Sequence, residues 1–153
     1  MTHTQMYVLD THTLVWFLKR DIKIGRRALK IMLSSQSRLV VPIYLLEEIR
    51  LKSLNDNPKH RNQRIGLPPA TVLRILTKSQ NIKVFPRSPA VVFEEEKLYR
   101  AVMLRRQYLP RQDIPICATA LAIKRAFTDS AEVFLITKDV DIRQWGKIPI
   151  IWN

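Results

Sequence analysis

The chain has 153 residues, 46% of them hydrophobic, which suits one compact domain spanning residues 1–153 with a sizeable core. The chain has 26 lysine and arginine residues and 13 aspartate and glutamate residues, which gives a formal net charge of +13. This charge favours nucleic acid or an acidic protein as a partner, although a solvated basic surface would have the same composition. Because Cys117 is the only cysteine, the chain has neither a disulfide framework nor a thiolate zinc site, which is typical of a reducing cytosol. No apolar run approaches the ~20 residues that span a bilayer, so we expect a cytoplasmic protein that does not enter the membrane.

The first predicted unit is a strand that runs directly into a helix. The apolar run Tyr7-Val8-Leu9 shows no alternation, which is typical of a strand buried on both faces, and a helix is predicted over 11–18. Asp10 falls at the junction between them. It has two possible roles, as the cap of the helix or as a charge in the crevice beyond the strands, and for Asp10 alone a cap is the more common role.

Hydrophobic spacing predicts six further elements before residue 110. They are a helix over 24–33, a strand over 38–41, a helix over 44–54, a helix that starts at 68–70, a strand over 82–85 and a helix over 90–109. The segment 55–69 has no periodicity, so we expect an exposed loop there. Three consecutive acids, Glu94, Glu95 and Glu96, lie in an early turn of the last helix, where they suit the helix dipole, and we expect them to form a solvated face.

The last part of the chain repeats the arrangement of a strand followed by an acid. A helix that is apolar on nearly all sides is predicted over 114–123, with Asp113 as its natural N-cap. The best strand in the chain, residues 132–136, runs into Thr137-Lys138-Asp139 and a short helical turn, and a final strand is predicted over 149–152. Because strands alternate with helical segments, we expect an α/β fold with a parallel sheet sandwiched between helices.

Three aspartates, Asp10, Asp113 and Asp139, therefore stand at strand ends or helix starts. In a parallel sheet those ends lie at one edge, so the carboxylates would meet in one crevice and repel each other unless they were protonated or bridged by a cation. A metal is the simpler resolution. Ligands that are all oxygen suit hard cations such as Mg²⁺ or Mn²⁺, which share substrate phosphates, so the constellation points to phosphodiester chemistry.

At these residues the sequence resembles the PIN-domain family and, within it, the VapC-like toxin ribonucleases. Four segments in order carry the resemblance: YVLDTHTLVW at 7–16, VPIYLLEEI at 41–49, LPRQDIPICATAL at 109–121, and LITKD at 135–139 followed by the closing Ile151-Trp152. The resemblance implies a PIN-like three-layer sandwich with about five parallel strands. It also implies a Mg²⁺ or Mn²⁺ site formed by Asp10, one glutamate, Asp113 and Asp139, together with endoribonuclease activity and often a bound antitoxin.

Two neighbouring glutamates, Glu47 and Glu48, compete for the glutamate position of the family. Alignment on Ile49 favours Glu48, and a helical wheel places Glu48 within an apolar arc, whereas Glu47 can pair with Arg50 three residues on. Lys52 lies one turn after Glu48, so a surface ion pair is the alternative role for Glu48. We predict that Glu48 completes the set of catalytic metal ligands.

Hydroxyl and basic side chains near these acids are assigned supporting roles. Thr11 and Thr137 are placed for hydrogen bonds to carboxylates or water, although turn capping explains them equally well. Six basic residues are candidates for contacts with the RNA backbone, with a solvated surface as the alternative: Arg105, Arg106 and Arg111 upstream of Asp113, and Lys59, Arg61 and Arg64 in the segment 55–69.

The residues and the resemblance together predict a metal-dependent endoribonuclease that hydrolyses RNA phosphodiester bonds, as the toxin of a type II toxin–antitoxin pair. The expected cofactor is Mg²⁺ or Mn²⁺. The expected partners are RNA, an acidic antitoxin protein and a second copy of the chain in a homodimer. The alternative is a catalytically inactive PIN fold that binds RNA or protein without cutting, because a set of acids does not guarantee turnover.

Overall fold

A computed structural model of the protein describes residues 4–53 and 66–153. Within these ranges the chain forms five strands and seven α-helices. In order they are β1 (Thr4–Leu9), α1 (Thr11–Leu18), α2 (Arg26–Leu33), β2 (Arg38–Pro42), α3 (Ile43–Ser53), α4 (Pro69–Lys78), β3 (Ile82–Phe85), α5 (Pro89–Met103), α6 (Ile114–Ala126), β4 (Ala131–Ile136), α7 (Val140–Trp145) and β5 (Ile150–Ile151). A 3₁₀ turn, Arg111–Asp113, precedes α6. None of the helices in the described ranges is long and apolar enough to cross a membrane.

The five strands form one parallel sheet in the order β3-β2-β1-β4-β5. β1 lies at the centre, where Tyr7 pairs in register with Leu39 of β2 and with Phe134 of β4. The chain adds β2 and β3 on one side of β1 and then places β4 and β5 on the other side, so the strand order reverses between β1 and β4. In open α/β sheets a crevice forms at such a point, beyond the carboxyl ends of the strands. The predicted fold, a sheet of about five parallel strands flanked by helices, is confirmed.

Two buried elements position the acids. The second half of β1, residues 7–9, is buried on both faces, as its unbroken apolar run predicts. Burial of a side chain such as Val8 or Leu9 contributes about 1.5–3 kcal/mol to stability. α6 packs against the sheet and against α5, and it is buried around most of its circumference. Asp10 directly follows the first of these elements and Asp113 directly precedes the second, so the core fixes the backbone of both residues.

The prediction of a solvated acidic face on α5 is wrong for two of its three residues. Glu94 and Glu95 are only 3% and 5% exposed. The Nε atom of Arg125 lies 2.7 Å from Glu94, and the Nη2 atom of Arg87 lies 2.6 Å from Glu95. The packing of α5 against α6 brings Arg125 to Glu94, whereas Glu95 is paired with Arg87 from the segment before α5. In both cases an ion pair offsets the cost of burying the carboxylate. Only Glu96 is exposed as predicted.

The helix predicted over 90–109 ends earlier, at Met103. Leu104 caps it, and Arg105 then adopts a left-handed backbone conformation with a φ of 54°. Arg105 and Arg106 therefore lie in the loop after α5, where both are exposed. The other predicted strands and helices correspond to observed ones, with shifts only at their ends. Most of the loop predicted over 55–69 lies outside the described residues.

Candidate metal centre

Asp10 caps α1 from the end of β1, and it is almost fully buried. Its Oδ1 atom accepts a hydrogen bond from the N–H of Thr13 at 2.7 Å, and its Oδ2 atom accepts one from the hydroxyl of Thr137. Burial raises the pKa of Asp10, while the hydrogen bonds from Thr13 and Thr137 act in the opposite direction. The residue therefore serves as a helix cap and at the same time holds a carboxylate in the crevice between β1 and β4.

Thr137 connects the first and the last of the predicted acids. It follows β4 and is fully buried, and its hydroxyl donates to Asp10 and accepts a hydrogen bond from the N–H of Asp139 at 3.0 Å. Asp139 in turn caps α7, because its Oδ1 atom accepts hydrogen bonds from the N–H groups of Asp141 and Ile142 at 2.8 and 3.1 Å. Since β1 and β4 are neighbours, Asp10 and Asp139 lie at the same edge of the sheet.

Replacing Thr137 by valine is expected to lower the free energy of unfolding by about 1–3 kcal/mol. The substitution leaves the N–H of Asp139 without its acceptor and the buried Oδ2 atom of Asp10 without its donor, while the bond from Thr13 to Oδ1 is kept. Urea unfolding measures the effect. Thr137→Ser keeps the hydroxyl and loses only a methyl group, so it is the matched control and should be the more stable variant. A loss in Thr137→Val no larger than that in Thr137→Ser would contradict the role assigned to the two hydrogen bonds.

Asp113 occupies the N-cap position of α6, but its side chain does not form the cap hydrogen bond that the sequence predicted, and one of its carboxylate oxygens has no partner in the described part of the chain. The residue is half-buried, and its Oδ2 atom is buried without a hydrogen bond from the described part of the chain. Burial, followed by the negative charges of Asp139 and Asp10, raises the pKa of Asp113 to about 7, and Asp141 and Glu48 act in the same direction. A buried carboxylate oxygen near other acids is costly unless a proton or a cation supplies its partner.

Without a divalent metal, the contribution of Asp113 to the stability of the protein is expected to fall as the pH rises from about 4 to about 7. The folded state keeps the Asp113 proton up to a pH of about 7, whereas the unfolded chain releases it near the ordinary pKa of 3.8. The folded state thus binds more protons across this window, so stability falls as the pH rises. Because Asp113 is only half-buried, solvent screening reduces the effect.

Thermal unfolding in EDTA across this pH window measures the dependence. Asp113→Asn has no proton to lose at this position and should give a flatter profile of Tm against pH. Parallel profiles for the two proteins would contradict the assignment of the pH dependence to Asp113.

Glu48 points inward and Glu47 outward on α3. The Glu48 side chain is 19% exposed; one of its oxygens accepts a hydrogen bond from the Thr11 hydroxyl, and the other lies 2.7 Å from the Nζ atom of Lys52. The Glu47 side chain is 52% exposed and pairs with Arg50. Thr11 is the first residue of α1, so its hydrogen bond holds Glu48 at the edge of the sheet where the aspartates lie. The ion pair with Lys52 that the sequence allowed is also formed.

Asp141 is an acid of this region that the sequence analysis missed. It lies in the first turn of α7, and its charge contributes to the raised pKa of Asp113. Its position in the sequence, two residues after Asp139 and inside the helix that Asp139 caps, could have indicated that it lies near the other acids.

By their chemistry, the four predicted ligands fit a hard divalent cation. All their donor atoms are carboxylate oxygens, which Mg²⁺ and Mn²⁺ prefer, and the unpartnered oxygen of Asp113 lies within the influence of the charges on Asp10, Asp139 and Glu48. Within residues 4–53 and 66–153, no three acidic, histidine or cysteine side chains lie close enough to hold a metal ion as they stand. A cation bound there would have to draw the carboxylates together.

Three of the six basic residues predicted to contact RNA lie in the described ranges. Arg105, Arg106 and Arg111 are exposed, and Arg111 lies in the 3₁₀ turn that ends at Asp113. The other three, Lys59, Arg61 and Arg64, lie outside the described residues, so their role stays a prediction.

The parallel sheet and the acids beside its reversal of strand order define an α/β protein with an acidic crevice at the carboxyl edge of the sheet. The chain belongs to the PIN domain family, whose sequence model matches residues 7–148. That range includes all four predicted metal ligands. No curated protein sequence matches the chain.

The fold is similar to that of several solved VapBC structures. VapBC2 from Rickettsia felis, bound to a DNA fragment from their promoter, has a TM-score of 0.64 and 14% identity, covering 97% of this chain and 99% of that chain. VapBC-1 from nontypeable Haemophilus influenzae has a TM-score of 0.63 and 16% identity, covering 95% of this chain and 96% of that chain. VapBC-5 from Mycobacterium tuberculosis, a member of the VapBC family of toxin-antitoxin systems, has a TM-score of 0.54 and 18% identity over 95% of both chains. At these identities the similarity establishes the fold.

Proposed function

We propose that the protein is a metal-dependent endoribonuclease in which Asp10, Glu48, Asp113 and Asp139 hold Mg²⁺ or Mn²⁺. The observation that carries the proposal is the unpartnered Oδ2 atom of Asp113, buried near other acids where the strand order reverses. A cation would stabilise such an oxygen. Membership of the PIN domain family and the resemblance to VapC-like ribonucleases support the same assignment.

The chain's own residues have distinct parts in the proposed reaction. When bound, the divalent cation supplies a Lewis acid for the phosphate and lowers the pKa of a water molecule. Thr137 and Thr11 hold the carboxylates of Asp10 and Glu48 by hydrogen bonds, which restricts the rotation of two proposed ligands. Exposed arginines such as Arg111 neutralise phosphates of the RNA backbone and hold the strand at the crevice.

We propose further that the protein is the toxin of a type II toxin–antitoxin pair. The similar VapBC chains are matched over nearly their whole length, and one of them is a member of the VapBC family of toxin-antitoxin systems. The net charge of +13 would favour an acidic antitoxin as the protein partner. A homodimer and a cytoplasmic location belong to the same proposal.

The alternative function is a PIN fold that binds RNA or protein without cutting. In its favour, no three possible ligands in the described part of the chain lie close enough together to hold a metal ion as they stand. Such a protein would bind RNA through its basic surface, and divalent metal would not lead to cleavage.

Incubation with a mixed pool of RNAs in Mg²⁺, Mn²⁺ or EDTA distinguishes the two functions. We expect internal cleavage products with at least one of the metals and none in EDTA, and Asp113→Asn prepared in the same way controls for contaminating nucleases. RNA binding without cleavage in all three conditions would favour the alternative. Cleavage that persists in EDTA would reject metal dependence.

A further inference from the structure

A cluster of aromatic and basic side chains lies beside the acidic crevice and has no part in the chemistry proposed above. We call it the tryptophan patch; it consists of His12, Trp16, Lys23, Lys138 and Trp152. The ring centroid of Trp16 lies 5.7 Å from that of His12 and 6.0 Å from that of Trp152. The Nζ atoms of Lys138 and Lys23 lie 4.7 and 5.8 Å from the Trp16 ring centroid.

The tryptophan patch adjoins the proposed ligands along the chain. His12 follows Asp10 by two residues in the first turn of α1, and Trp16 lies one turn further on the same face of that helix. Trp16 is therefore about 9 Å from Asp10 along the helix axis, because each residue of an α-helix rises about 1.5 Å. Lys138 directly precedes Asp139 after β4. The patch thus lies at the same edge of the sheet as the acids.

The side chains of the tryptophan patch remain within reach of solvent. His12 and Lys138 are exposed, and Trp16 and Trp152 are half-buried. The Lys23 side chain is 61% exposed. Contacts between a lysine and an aromatic ring at an exposed site are weak. A ligand that offers both a flat ring and a negative charge can therefore replace them.

Single-stranded nucleic acids have this combination of groups, because their bases stack on aromatic side chains while their phosphates pair with basic ones. We propose that His12 and Trp16 form a stacking subsite for one base of a bound RNA strand, near the bond that is cleaved, and that Lys138 pairs with the phosphate next to that base. The identity of the strand rests on the proposed ribonuclease function, but the subsite concerns binding and not hydrolysis. By holding one base, it would set the position of the strand relative to Asp10 and Asp139.

The test compares the affinity of the protein for two strands in EDTA, where metal-dependent cleavage is prevented. One is a mixed-sequence single-stranded RNA of about eight nucleotides, and the other has the same number of phosphates but no bases. We expect the wild-type protein to prefer the strand with bases by about tenfold or more. Trp16→Leu should reduce this preference by about tenfold and His12→Ala should reduce it to a smaller extent, while neither changes the affinity for the abasic strand.

Lys138→Met should have a different effect from the ring substitutions. Loss of one phosphate contact should reduce the steepness of the log-log dependence of RNA affinity on salt by about 0.7. The preference for bases should be largely retained in this variant.

Phe93→Leu is the matched control for loss of an aromatic ring. Phe93 is an exposed ring on α5 with the Nζ atom of Lys97 4.3 Å from its centroid, and it is not part of the tryptophan patch. Its substitution should leave the preference for bases unchanged. The Trp16 ring packs on Trp152, so circular dichroism is used to check that Trp16→Leu still folds. If it does not, His12→Ala provides the test, because the side chain of His12 is exposed.

An unchanged preference for bases in His12→Ala, or an equal fall in Phe93→Leu, would overturn the subsite. The result is separable from the proposed ribonuclease function. Loss of the preference in His12→Ala together with no metal-dependent cleavage by the wild type would reject the nuclease and retain the subsite. Metal-dependent cleavage by the wild type together with an unchanged preference for bases in His12→Ala would retain the nuclease and reject the subsite.

Discussion

Replacement of Asp113 by asparagine is expected to lower the rate of metal-dependent RNA cleavage by about a thousandfold or more. A catalytic cation contributes several kcal/mol to the stabilisation of the transition state, and about 4 kcal/mol corresponds to a thousandfold change in rate. Asparagine keeps the shape of the side chain but removes the charge, and with it the carboxylate oxygen that has no partner in the described structure. Single-turnover cleavage at saturating Mn²⁺ measures the effect.

The same variant is expected to stay folded, with a Tm in EDTA that is unchanged or raised. The substitution removes a carboxylate whose pKa is raised by burial and by repulsion from Asp139 and Asp10. Asp129→Asn is the matched control, because Asp129 is an exposed acid before β4 and should not affect cleavage. Wild-type cleavage by Asp113→Asn would contradict the role of Asp113 as a ligand, and unfolding of that variant would show that the carboxylate is needed for the fold.

Glu48→Gln is expected to raise the Mn²⁺ concentration for half-maximal cleavage by about tenfold or more, whereas Glu47→Gln leaves it nearly unchanged. A tenfold change corresponds to about 1.4 kcal/mol, and the loss of one charged ligand is expected to weaken metal binding by at least this amount. Glu48 is bonded to Thr11 at the edge of the acidic crevice, while Glu47 pairs with Arg50 at the surface. The two substitutions are chemically identical and lie in the same helix, so each controls for the other.

A metal titration of cleavage for the wild type and both glutamine variants makes this comparison, with circular dichroism to confirm folding. If Glu47→Gln carries the defect, the assignment of Glu48 from the helical register and from the Thr11 contact is incorrect. If neither variant is affected, the glutamate position of the PIN family has no function as a ligand in this chain.

The sheet could be predicted from the sequence because its signals are local. Tyr7-Val8-Leu9 is apolar without alternation, and the strand predicted over 132–136 ends in a similar apolar run, so each is predictable without knowledge of its neighbours in the sheet. The difference between Glu47 and Glu48 was predictable for a similar reason, because a helical wheel needs only the residues of one helix. These predictions use periodicity within a single element.

The burial of Glu94 and Glu95 could not be predicted in this way. Glu94 pairs with Arg125 at the end of α6, on which α5 packs, and Glu95 pairs with Arg87 in the segment before α5. The sequence of an isolated helix with three consecutive acids gives no sign that tertiary contacts bury two of them. The early end of α5 was missed because apolar spacing continues to Leu109, although the helix does not.

The candidate site was predictable as a set of residues but not as a network of contacts. The sequence placed Thr137 near the acids, yet its bond to Asp10 joins residues 127 positions apart and depends on β1 and β4 being neighbours. The tryptophan patch has the same origin, since Trp16 meets Lys138 and Trp152 from the far end of the chain. Contacts of this kind follow from the strand order, which local spacing does not determine.

Direct measurement of Mn²⁺ binding by isothermal titration calorimetry tests the central claim that the acids form one metal site. We expect the wild type to bind Mn²⁺ and Glu47→Gln to bind it equally well. Asp113→Asn is predicted to bind at least about tenfold more weakly, a loss of about 1.4 kcal/mol or more. Equal affinity in the wild type and Asp113→Asn, or no binding by the folded wild type, would contradict a metal site formed by these acids.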